Sequence, residues 1–166
     1  MAADQELFIK MVIDAWDKYV KRTDQIFNSL SDADLLKEIA PGKNRAVYLL
    51  GHLTAVNDEL CPLLGLGESA WPQLKPLFLV NPDKAGSEFP SIPELRQYWK
   101  TSNSRLSEGF DRMEPYEWFE RHSAVSEEAF AKEPHRNKLN VLISRTNHVS
   151  YHEGQLILIP PSTNHS

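Results

Sequence analysis

The chain has 166 residues, 41% hydrophobic and 25% charged, with a formal net charge of -5. That length can bury a core without staples, that composition excludes a disordered chain, and the acidic balance gives no general attraction to phosphate backbones, so no nucleic-acid partner is expected. The single cysteine, Cys61, cannot close an intrachain disulfide, no run reaches the roughly 18 apolar residues that span a bilayer, and no signal peptide is evident at the N-terminus, so the expected location is cytoplasmic, away from membranes.

Residues 4–30 read as a long helix, because Phe8, Val12, Ala15, Tyr19 and Phe27 recur at the spacing of one helix face. Ser31 caps a second, short helix with Asp32 and Asp34 in its first turn, and Ala40-Pro41-Gly42 stops it. A third helix spans residues 44–64, with Tyr48, His52, Val56 and Leu60 on one face; Pro62 is awkward inside it and can end it a turn early. Residues 65–90 carry Gly67, Pro72, Pro76, Pro82, Gly86 and Pro90 and read as an excursion over the other helices, pinned by Trp71, Leu77 and Phe78.

Ser91-Ile92-Pro93-Glu94 is a capping box with proline in the first turn, opening a helix that should reach Met113 although Gly109 weakens its last turns. Residues 114–136 are irregular, with a short helix from Ser126 that Pro134 ends. The last long helix covers residues 137–159, with Leu139, Leu142, Ile143, Thr146 and Val149 as its apolar stripe and Pro160-Pro161 as its stop. No strand-like alternation or internal repeat appears. Four long helices and short accessory ones predict an all-α, four-helix-bundle fold forming a single domain over residues 1–166.

The histidines carry the chemistry. His148 and His152 lie four apart on the last helix, about 40° and about 6 Å from one another along its surface, so two imidazoles can converge on one ion. The same row holds Val141, Leu156 and Ile159 together with Arg145 and Gln155, a mixture that suits a pocket wall. A pair at this spacing also arises by chance on a half-exposed face. It is not a zinc-protease motif, which needs Glu after the first His where this chain has Val149. His52 stands in the apolar row of the third helix, where a histidine is either a hydrogen-bonded core residue or a ligand. One histidine plus a helical pair forms a donor triad with coordination positions left open. His122, His135 and His165 read as solvated.

Leu49-Leu50-Gly51-His52-Leu53, the pair His148 and His152 followed by Gly154-Gln155-Leu156, and the 96-residue gap between the two histidine positions together resemble the DinB/YfiT-like family of metalloenzymes. The resemblance implies an up-down-down-up bundle, a divalent ion (zinc or nickel) on His52, His148 and His152, and a homodimer. It also implies a thiol-dependent S-transferase or isomerase that takes a small-molecule thiol as partner.

Neutral imidazoles suit several divalent metals. A bound ion can activate water for hydrolysis or a thiol for transfer, and the residues alone do not separate these routes. Asn147, Tyr151, Glu153, Asn57, Asp58 and Glu59 are candidate helpers by proximity in sequence; Glu59 is either a base or a solvated helix charge. Cys61 reads as a small buried residue, and Trp16, Trp71, Trp99 and Trp118 as packing. The alternatives to a transferase are a metal-binding or stress-related bundle without turnover, and a structural dimer with vestigial histidines.

Overall fold

The computed structural model describes residues 2–160 and Ser162; the expectations for Pro161 and His165 lie outside the described residues. Four long helices dominate: α1 (Ala2–Ser29), α3 (Ala46–Asp58), α5 (Ile92–Arg112) and α7 (Lys138–Leu156). Between them lie α2 (Asp32–Leu35), α4 (Leu60–Leu64) and α6 (Glu127–Lys132), a π-helical turn at Pro76–Val80 and a 3-10 turn at Glu117–Phe119. No strand occurs among the described residues, only the isolated bridges Glu38 to Arg45 and Arg121 to Asn137. α1 packs chiefly along α7, and α3 along α5.

The caps sit where the sequence places them. Ser31 and Asp34 form a reciprocal capping box on α2, and Ser91 and Glu94 form one on α5, each satisfying backbone N–H groups that the first turn leaves free. Asn137 accepts from the Asn140 N–H at the start of α7. The third helix breaks at Glu59, between α3 and α4. Pro62 has no N–H to give the Asp58 carbonyl and its ring crowds that group, so the α-helical ladder stops there. α7 ends at Leu156, three residues before the expected stop, and residues 157–159 turn instead.

The buried face of α1 differs from the expected one. Phe8 is 48% exposed, while Ile9, Val12, Trp16 and Phe27 enter the core. Both rows satisfy three- and four-residue spacing, so periodicity alone does not choose between registers one position apart; the seat of α1 on α7 chooses. α3 is the central helix: of its residues only His52 is not fully buried. Asp58 accepts from the backbone N–H groups of Ala70 and Trp71 and pairs with Arg105, anchoring the start of the 65–90 excursion. Trp71 stacks on Tyr98 with ring centroids 4.0 Å apart, and the buried Phe78 holds the π-helical turn against α3. No described helix is long and apolar enough to cross a membrane.

Candidate metal centre

His52 on α3 and His148 and His152 on α7 meet where these helices face each other. His148 Nε2 lies 3.1 Å from His52 Nε2 and 3.1 Å from His152 Nε2, and all three rings are half-buried. Donors about 2.05 Å from one ion are about 3.3 Å apart in a tetrahedral set and about 2.9 Å apart on one face of an octahedron. The observed 3.1 Å separations fall between these values.

The outer nitrogens fix the tautomers. His52 Nδ1–H donates to the Phe78 carbonyl at 2.8 Å. A carbonyl only accepts, so the His52 proton sits on Nδ1 and Nε2 presents its lone pair inward. His152 Nδ1 faces the Gln155 Oε1 at 2.7 Å, which places its proton on Nδ1 and a second lone pair inward. His148 Nε2 therefore meets two acceptors. In a neutral ring it can donate to only one of them, leaving a lone-pair contact at 3.1 Å; a cation at the centre satisfies all three nitrogens. His148 Nδ1 is buried with no hydrogen-bond partner.

Burial keeps these rings in the neutral, ligating form. Desolvation, then the neighbouring His152, His52 and Arg145, lowers the His148 pKa to about 4. Desolvation likewise pushes His52 and His152 down, opposed by the hydrogen bonds to Phe78 and Gln155. Among the described residues none of the three pairs with a carboxylate.

The local packing explains Gly51. A Cβ there would lie 2.3 Å from the Phe78 ring, so only glycine lets the π-helical turn approach α3 and bring its carbonyl to His52. Tyr48 stacks on His52, with centroids 6.1 Å apart, and donates its hydroxyl to the Asn81 carbonyl at 2.9 Å, tying the same turn down. The sequence carries Gly51 and Gln155 beside the histidines but gives neither a role; the contact with residue 78 depends on chain folding back across the helix.

The other candidates go elsewhere. Glu59 pairs with Lys75 and accepts from Ser69, Asn57 donates to Asn103, and Asp58 holds the excursion. Glu153 is buried against Arg22, joining α7 to α1. Asn147 and Tyr151 are exposed, with the Tyr151 ring edge-on to His152. Cys61 is buried and its thiol pKa is raised by burial, the opposite of an activated nucleophile. Trp16, Trp99 and Trp118 are core residues. His135 is exposed. His122, expected in solvent, is half-buried with its Nδ1 enclosed, because residues 122–123 fold against the end of α4 through the Ser123 N–H to Leu63 carbonyl bond.

Residues 15–155 match the DinB superfamily pattern, a span that takes in all three histidines, the second half of α1, all of α3 and α5, and α7 as far as Gln155. The chain belongs to the DinB superfamily. None of the curated proteins compared with it matches. The DinB assignment agrees with the helical architecture and with a group of three histidines that could hold a metal ion.

Proposed function

We propose that this DinB protein binds one divalent ion, zinc or nickel, through His52, His148 and His152, and uses it as a thiol-dependent S-transferase. The observation that carries the metal reading is His148 Nε2 set 3.1 Å from two inward lone pairs, an arrangement a cation resolves and a proton does not. When bound, such an ion lowers the pKa of a thiol or water that reaches it, supplying a nucleophile at neutral pH.

The chain's own residues hold and orient. The Phe78 carbonyl and the Gln155 amide fix two rings, as outer-shell acceptors commonly do for ligating histidines. Hydrolysis also needs a general base to move protons, and Glu59, Asp58 and Glu153 are committed to ion pairs away from the triad. A thiol must shed its proton too, so these residues do not separate the two routes; the likeness to thiol-dependent family members is what favours transfer. The same lack of a carboxylate supports the second reading, a metal-binding bundle without turnover. The proposal includes a homodimer, as the family implies.

Elemental analysis of protein purified without an affinity tag tests the first step, with about one equivalent of metal expected. Cobalt substitution tests the second: an added small thiol should produce a sulfur-to-cobalt charge-transfer band that His152→Ala lacks. Cobalt that stays bound with an unchanged spectrum would remove the main support for a transferase.

A further inference from the structure

Three neutral imidazoles contribute no charge, and their outer partners are a backbone carbonyl and an amide oxygen. A divalent ion held there keeps its full positive charge. Arg145 adds to it. This residue lies three positions before His148 and seven before His152, so it shares their face of α7, and it is half-buried. Its guanidinium remains protonated under all ordinary conditions.

The surroundings of Arg145 set it apart. Arg22, Arg45, Arg96, Arg105, Arg121 and Arg136 each meet a carboxylate. Arg112 is exposed to water. Arg145 makes no hydrogen bond or ion pair among the described residues, and its Nε is enclosed with no partner. Arg45 shows what that edge of a guanidinium accepts: its Nε and Nη2 grip the Asp83 carboxylate side-on, at 3.2 and 2.6 Å. A half-buried cation without a counter-ion, beside a centre that holds no negative charge of its own, is complementary to an oxyanion.

We propose that Arg145 anchors a carboxylate of the small molecule that reaches the three-histidine centre, so that the preferred ligand is a thiol carrying a carboxylate. The proposal rests on the thiol reading above for the identity of the second group, and on Arg145 alone for the anion.

The test compares 3-mercaptopropionate with 2-mercaptoethanol on the cobalt-substituted protein, reading dissociation constants from the charge-transfer band. Wild type should bind the carboxylate-bearing thiol at least about tenfold more tightly, the ratio expected for one charge-assisted bidentate contact. Arg145→Gln should bring the ratio close to one, and Arg145→Lys should fall between. The ratio is internal to each variant, so a change in cobalt affinity does not obscure it, and Arg145→Lys serves if Arg145→Gln does not fold. A ratio that Arg145→Gln and Arg145→Lys leave at the wild-type value overturns the subsite while the thiol reading stands. If neither thiol gives a band, propionate decides: a cobalt ligand-field change that depends on Arg145 supports the anion subsite although the thiol reading has failed, and no such change overturns both.

Discussion

Gly51→Ala adds one methyl group and should weaken a site that it does not touch. The new Cβ would lie 2.3 Å from two Phe78 ring carbons, whereas carbon atoms in contact sit about 3.5–4.0 Å apart, so ring or helix must move by more than about 1 Å. Phe78 is fully buried, and the displacement passes to the π-helical turn that carries its carbonyl. The His52 Nδ1 bond to that carbonyl, 2.8 Å long, does not survive a shift of this size. Losing an outer-shell partner of a ligating histidine typically costs about 10–100-fold in metal affinity. Stability should change less: overpacking costs about 1–3 kcal/mol, and replacing a mid-helix glycine by alanine returns about 1 kcal/mol. A competition titration with a chromophoric zinc chelator reads the first quantity and urea unfolding of the apoprotein reads the second. Trimming the ring with Phe78→Leu in the Gly51→Ala background should recover part of the affinity, a coupling expected only of residues in contact. Wild-type zinc affinity in Gly51→Ala would refute the link between this packing and the orientation of His52.

Calorimetric zinc titration should show His148→Ala losing most of the affinity, whereas His122→Ala stays near wild type; equal losses would mean that the ligand set is wrong. Acid should destabilise the apoprotein before most carboxylates titrate. The His148 pKa is depressed to about 4 from 6.5, so its contribution is present above about pH 6.5 and is lost as the pH falls toward 4. By pH 5 the unfolded chain has taken up the proton and the folded chain has not, so the apoprotein should be less stable than at pH 7. Urea midpoints at the two pH values measure it, and His148→Ala should reduce the difference.

The sequence by itself determined the elements whose causes are local. Ser31 with Asp34, Ser91 with Glu94, and Asn137 set helix starts because a capping side chain reaches only its own first turn. The four-residue step from His148 to His152 put two imidazoles on one side of α7 whatever that helix packs against. The likeness of the Gly51-His52 segment pointed to the third. Three matters waited for the tertiary structure. The register of α1 was one, since rows through Phe8 and through Ile9 are equally helical until α7 covers one of them. The partners of the ligands were another: Phe78 lies 26 residues from His52, and a hydrogen bond to a carbonyl leaves no mark on the identity of the residue that carries it. The last was Arg145, which reads as an ordinary polar position on a helix. Its role as a cation without a counter-ion exists only because folding takes it partly out of water beside the histidines and brings it no carboxylate, and no pattern along the chain records which charges end up paired.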